Sequence, residues 1–394
     1  MTPETPQTPE TPQTPETPET SETSAKSPIK VLLDCRMLTW SGVGRYSAGL
    51  ARALARRDDV ELVLAQSRGQ EPAVPGDESI QVITAVGSPF TIGGMRELGR
   101  IAREVPNDVT HCLHWPTPSP APHPFVITLH DITPLAVPGV MPSRLNREIY
   151  KWMNRRAVKL ADAIITPSEH TKRDLHHYMP KSRGKVTVMP YAADDFAKAH
   201  REPLTGVLER IASGPYIFSM GSTKTHKDLP ALLKAFAKLA SAHPDLLLLL
   251  AGTAERDYAS MVLDGDPAAE RVYFTGAIDD GTLRTLYTRA VAFVFPSLYE
   301  GFGLPPLEAM SLGTPVICSS AASLPEVVHD AAILVPAGDV NGFAREIARV
   351  LDDADLRADL AERGHARALQ LTWDMTAEQT VAVYRKVLGL PAER

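Results

Sequence analysis

Two doubly wound α/β halves are predicted for this chain by three observations. Short apolar runs of strand length alternate with stretches of helical periodicity from Ile29 onward. The alternation lapses over a polar stretch at 194–214 and then restarts. Glycine- and histidine-bearing turns fall just after several strand candidates, where ligands bind in parallel sheets. The length, 394 residues, suits two such halves.

The first half opens with IKVLLDC (29–35), a strand, after which Tyr46, Leu50 and Leu54 recur every four residues along one helix face. VELVLA (60–65), QVITA (81–85), VTHCL (109–113), FVITL (125–129), AIITP (163–167) and VTVMP (186–190) are further strands. Helices are expected near 143–160 and 169–178. The first of these is basic, with Tyr150, Trp152 and Met153 interspersed; it reads as a surface helix packing its aromatics inward, with contact to anionic lipid as the alternative. In the second half YIFSMG, DLLLLLAG, RVYFTG, VAFVFP, TPVICS and AAILVP are the strands. Helices are expected near 228–242, 282–290, 341–351 and 354–370. The expected division is 29–200 and 201–373, joined by a linker near 195–212. A last helix within 374–394 either stays with the second half or crosses back to the first.

Residues 1–28 stand apart. TPETPQ occurs twice, at 2–7 and 8–13, and decays into TPETPET and SETSAKSP. With no large apolar residue after Met1, this segment is expected to be a disordered tail of polyproline character.

Composition narrows the function. The net charge of −6 gives no polycationic surface for nucleic acid. Cys35, Cys112 and Cys318 are odd in number and far apart, so neither a disulfide framework nor a CxxC zinc site is expected. The run at 246–251 is too short to span a bilayer, and no signal peptide is read at the start. A reducing, cytoplasmic setting is expected.

The densest chemistry is PSLYEGFGLPPLEAMSLGTPV (296–316). Glu300, Gly301, Phe302 and Gly303 make an amide-rich turn, Pro305 and Pro306 suit the first turn of a helix, and Gly313 suits its end. Amides of Gly301 to Leu304 and the helix dipole form a site for a diphosphate. Glu308 is placed to accept hydrogen bonds from a ribose, and Glu300 from a second hydroxylated ring. Both acids also suit the helix terminus electrostatically. In MGSTKTHKDL, Lys227 stands at the start of a helix and opposes its dipole; a bound anion relieves that conflict, and so does Asp228 as an N-cap. Gly42 and Gly44 precede the first helix, but Ser47 stands where a third dinucleotide-binding glycine belongs. His130 and Asp131 follow a strand and can meet a polar ligand. Ser323 and Glu326 read as a capping box, and Cys318 as core.

Together these pieces resemble the GT-B retaining glycosyltransferases of family 4 (glycosyl transferases group 1), two Rossmann-like domains facing across a cleft. The resemblance rests on GVGRY (42–46), HDITP (130–134), TPSEHTKRDL (166–175), GSTKTHKDL (221–229), the Glu-x7-Glu of EGFGLPPLEAM, SLPEVVHDAAILVPAGD (323–339) and TWD (372–374). It implies that the second half binds a nucleotide-diphosphate sugar. Glu308 then holds the ribose, while Lys227 and the 301–304 amides hold the diphosphate. Glu300 and His130 contact the sugar, Gly276 lies near the base, and the Gly42–Gly44 segment closes over phosphates or acceptor. Where many members carry an arginine this chain has Ser222, so charge neutralisation falls on Lys227 with help from His226 or Arg45. The implied reaction transfers a hexose of mannose, rhamnose or glucose type to a glycan or lipid-linked acceptor, with retention and with neither metal nor cofactor. Peripheral contact with a membrane fits such an acceptor. A GT-B epimerase or phosphorylase, or a binding protein without transferase activity, shares the same plan.

Overall fold

A computed structural model describes residues 27–220, 222–254 and 257–391, so the repeats of the N-terminal tail lie outside the described residues. The first sheet is formed by β1 (Ile29–Asp34), β2 (Val60–Ser67), β3 (Gln81–Ala85), β4 (Val109–Cys112), β5 (Phe125–Thr128), β6 (Ala163–Thr166) and β7 (Val186–Val188). The second contains β8 (Tyr216–Met220), β9 (Leu247–Ala251), β10 (Val272–Phe274), β11 (Ala292–Phe295), β12 (Val316–Ser319) and β13 (Ile333–Val335). Their orders are β3-β2-β1-β4-β5-β6-β7 and β10-β9-β8-β11-β12-β13, all pairs parallel. Central strands such as β4, β5, β11 and β12 are buried throughout, because helices cover both faces of each sheet. Each order reverses beside its first strand, and that is where a parallel sheet opens a crevice for ligands.

The region expected as a linker carries two short helices, Asp194–Lys198 and Gly206–Ile211, with Phe196 and Ile211 buried. The polar residues that suggested a loop are the exposed faces of these turns. The last helix, Trp373–Val387, packs against Ser41–Ala55 of the first lobe. Tyr384 Oη meets His111 Nδ1 on β4 at 2.7 Å, and Trp373 Nε1 donates to Asp195 at 2.9 Å.

Helix Arg144–Leu160 differs from expectation. Tyr150 turns inward against Trp115, with ring centroids 5.7 Å apart, but Trp152 is 64% exposed, as are Leu145 (70%) and Ile149 (47%). These three lie at i, i+4 and i+7 and form one apolar face that no other part of the described fold covers. Among the described residues no helix is long and apolar enough to cross a membrane.

Candidate active site

The turn between β11 and the helix Leu304–Ser311 is fixed from its carbonyl side. Ser323 Oγ donates to the carbonyls of Glu300 (2.9 Å) and Phe302 (2.7 Å). From the first lobe, Ser168 Oγ (2.8 Å) and Thr171 Oγ1 (3.1 Å) donate to the carbonyl of Gly301. In a trans peptide the carbonyl and the following N–H point opposite ways. The N–H groups of Gly301, Phe302 and Gly303 therefore face away from these hydroxyls, as an anion site at the helix start requires. Gly303, the N-cap, adopts φ +114°, in the left-handed region that favours glycine. The expected capping box is not formed. Ser323 spends its hydroxyl on this turn, and Glu326 instead takes the Glu169 N–H (2.7 Å) and Arg173 (3.1 Å) across the cleft.

Lys227 ends a short 3₁₀ turn, Thr225–Lys227, directly before helix Leu229–Leu239. Its Nζ lies 2.6 Å from Glu300 Oε1 and 5.3 Å from the centre of the Phe295 ring. The His226 carbonyl accepts the Leu298 N–H at 2.7 Å, strapping the two turns together. His226 Nδ1 is buried without a hydrogen-bond partner, and burial, then the charge of Lys227, lowers the pKa of the ring. Asp228 occupies the N-cap position with φ +46°; its side chain makes no capping bond, but its carboxylate stands at the helix start, where its charge also offsets the dipole. Ser222 stands partly buried in the same loop.

Glu308 is 2% exposed. Arg45 Nη1 reaches its Oε1 at 3.0 Å from the opposite lobe, and Tyr287 Oη donates to Oε2 at 3.3 Å. Burial pushes its pKa up, and Arg45 opposes that shift. Beside this pair lies a cavity of about 540 Å³, lined among others by Gly44, Arg45, Asp280, Arg284 and Glu308. Gly42 and Gly44 do not precede a helix as expected. The helix starts at Ser41 and includes both, since the Gly44 N–H already bonds the Trp40 carbonyl. The Cβ position of Gly42 is 4.0 Å from Leu304, so this first turn faces the other lobe. Gly276 sits at the end of β10 with φ +72° and pairs with Gly252 through two backbone hydrogen bonds.

His130 follows β5, and both of its ring nitrogens are engaged. Nε2 donates to the Leu113 carbonyl at 2.7 Å, so in the neutral ring Nδ1 accepts from Tyr191 Oη at 2.5 Å. Burial lowers the pKa of the ring, which favours that neutral form. The backbone of His130 touches the Glu300–Gly303 turn. A Cβ on Gly301 would stand 2.0 Å from the His130 carbonyl oxygen, so only glycine permits this approach of the lobes.

The structure thus gathers Lys227, His226, Glu300, Gly301, Phe302, Gly303, Leu304 and Glu308 on adjoining turns, with His130, Gly42 and Gly44 opposite. Lys227 meets Glu300; Glu308 is held instead by Arg45 and Tyr287. Tyr287, Tyr191 and Ser168 were missed in the sequence, because single hydroxyls in ordinary helix and loop contexts carry no spacing signal. Cys318 is buried, as expected of a core residue, and burial pushes its thiol up to about 12.

Two Rossmann-like lobes facing across a cleft make up the GT-B plan. Residues 205–367 match the glycosyl transferases group 1 model, and residues 40–195 match the glycosyltransferase family 4 model. The chain is 32% identical over 268 residues to the O-antigen chain mannosyltransferase B of Escherichia coli, covering 66% of this chain and 70% of the relative. It is 27% identical over 389 residues to the glycogen synthase of Mycobacterium tuberculosis, covering 87% and 90%. Sucrose-phosphate synthase from Thermosynechococcus elongatus shares the fold at a TM-score of 0.73 and 20% identity, over 92% of this chain and 99% of that one. The chain belongs to the group 1, family 4 glycosyltransferases.

Proposed function

We propose that this enzyme moves a hexosyl group from a nucleoside-diphosphate sugar to a hydroxyl of a glycan or lipid-linked acceptor, with retention at the anomeric carbon and no metal ion. The Lys227–Glu300 pair beside the pinned turn carries this reading. As the anomeric C–O bond breaks, its electron pair passes to the diphosphate and positive charge develops on the sugar. Lys227, the turn amides and the helix terminus stabilise the departing anion more as its charge grows, which lowers the barrier. The acceptor oxygen attacks from the face the diphosphate is leaving, and its proton passes to a diphosphate oxygen. No carboxylate nucleophile takes part. Glu300, released from Lys227 by the competing diphosphate, is placed for sugar hydroxyls, and Glu308 for the ribose. The names of the two relatives, a mannosyltransferase and a glycogen synthase, support a hexose.

The test is a melting-temperature screen against UDP-, GDP- and dTDP-sugars, since a ligand of the folded state raises the midpoint. The anomeric configuration of the product, read by NMR with and without EDTA, follows. One donor class is expected to stabilise the protein and to yield a retained anomer in both conditions. An inverted product, or turnover abolished by EDTA, refutes the mechanism.

Peripheral membrane contact belongs to the same proposal, supported by the uncovered face of Leu145, Ile149 and Trp152 on a helix that also carries Arg144, Arg147, Lys151, Arg155, Arg156 and Lys159. Apolar side chains on a cation-rich helix suit an anionic lipid surface.

A further inference from the structure

A ladder of rings runs outward from His130 along the first lobe. His114 lies 5.6 Å from His130, Trp115 5.8 Å from His114, Phe90 5.1 Å from Trp115 and Trp40 5.1 Å from Phe90, centroid to centroid. Trp40 follows β1, Phe90 follows β3, and His114 and Trp115 follow β4, so all stand at the carboxyl ends of parallel strands. Trp40 is 49% exposed, and Phe90 and Trp115 are half-buried. At the inner end sits Asp131, whose Oδ1 accepts the Thr133 N–H at 2.8 Å. Its Cβ is only 2.9 Å from the Cβ position of Gly301, which places this carboxylate against the candidate donor turn.

We propose that Trp40, Phe90 and Trp115, with Asp131 at their inner end, form the subsite for an uncharged oligosaccharide acceptor. The inference rests on the transferase reading above and adds where the acceptor lies. Aromatic faces suit the C–H face of a sugar ring, and rigid rings lose little conformational freedom on binding. Trp40, Phe90 and Trp115 carry no charge and the Asp131 carboxylate repels anions, so the subsite selects neutral sugars over phosphorylated ones. Two successive steps of 5.1 Å extend beyond a single ring, so the site fits a chain better than a monosaccharide. Asp131 supplies a fixed carboxylate for a hydroxyl of the terminal sugar, next to the place where the hexosyl group arrives.

Tryptophan emission of the full-length protein, titrated with α-linked mannotriose and separately with maltotriose, tests the assignment. One trisaccharide is expected to shift the emission, with mannose or glucose at least about tenfold weaker. Trp40→Ala is expected to raise the half-saturation point and the acceptor KM at least about tenfold with little change in kcat, and Trp40→Phe to restore both. Wild-type protein that responds to neither trisaccharide, or Trp40→Ala that binds as wild type, overturns the subsite. The melting-temperature response to nucleotide sugars is read in parallel. Trisaccharide binding without any donor response leaves the subsite standing and refutes the donor assignment alone.

Discussion

Arg45 of the first lobe and Glu308 of the second form an ion pair across the cleft, Nη1 to Oε1 at 3.0 Å. Arg45 also meets Asp280 at 2.6 Å and lies over the Phe196 ring at 4.7 Å, so one guanidinium ties together three elements. The carboxylate proposed to bind ribose is therefore already neutralised in the free protein, by a group that donor binding must share or displace.

Removing Arg45 leaves a buried carboxylate with Tyr287 as its remaining donor. Arg45→Ala is expected to destabilise the protein by about 1–3 kcal/mol at neutral pH, the cost of an unsatisfied buried group. The sign of the pH dependence follows from the raised pKa of Glu308. Because Arg45 lowers the Glu308 pKa, its loss lets the folded variant bind that proton more tightly than folded wild type does. Its stability relative to wild type is therefore greatest below the ordinary carboxylate pKa and is lost as pH rises through the raised value. Urea midpoints of both proteins between pH 4.5 and 7.5 check this, and a deficit that shrinks with rising pH contradicts it.

Lys227→Ala is expected to lower kcat by about tenfold to a thousandfold, the range for losing one charge-stabilising contact in a transition state. The variant also leaves Glu300 unpaired beside the turn, so its folding is checked by circular dichroism. A folded Lys227→Ala enzyme with wild-type kcat removes the lysine from the mechanism.

Gly301→Ala isolates the approach of the lobes. The added methyl would overlap the His130 carbonyl at 2.0 Å, and backbone on both sides resists relief. The turn must shift by a fraction of an ångström or more, and a displacement of about 1 Å costs on the order of a hundredfold in rate. The expected outcome is a strong loss of kcat with modest loss of stability. Unchanged kcat would mean that the lobes need not meet here during turnover.

The fold was legible because parallel strands buried on both faces leave continuous apolar runs, such as VAFVFP, that composition alone marks out. The candidate donor turn stood out for a related reason: glycines, prolines and acids are rarely so dense between a strand and a helix. Partners across the cleft were not. Ser323 and Glu326 have the spacing of a capping box, and only the tertiary fold shows Ser323 pinning the Glu300 turn and Glu326 meeting Arg173. Trp152 was misread because periodicity tells which residues share a face, not which face meets the core. The first helix was started too late because Gly42 and Gly44, poor helix formers, lie within its first turn.

Exposed Trp152 gives a direct test of the proposed membrane contact. Trp152→Glu is expected to reduce sedimentation with vesicles of anionic phosphatidylglycerol by about tenfold while leaving the melting temperature within a degree or two, because the side chain packs on little. Equal binding of variant and wild type would locate any membrane contact elsewhere.

A buried histidine predicts the acid limb of stability. His111 is fully enclosed, its Nδ1 at 2.7 Å from Tyr384 Oη and its Nε2 at 2.9 Å from Thr128 Oγ1, and burial pushes its pKa down to about 3. The unfolded chain titrates it near 6.5. Above that pH neither state is protonated and the group adds no slope. As pH falls from about 6.5 toward 3, the unfolded state gains a proton that the folded state refuses, and stability drops by up to about 1.4 kcal/mol per pH unit from this residue. His111→Gln keeps a hydrogen-bonding side chain and removes the titration. Its urea midpoint is expected to start lower than wild type at pH 7.5 but to fall less steeply between pH 6 and 4, by the equivalent of one proton. Parallel pH profiles for the two proteins would show that His111 titrates alike folded and unfolded, and that the bond to Tyr384 does not require a neutral ring.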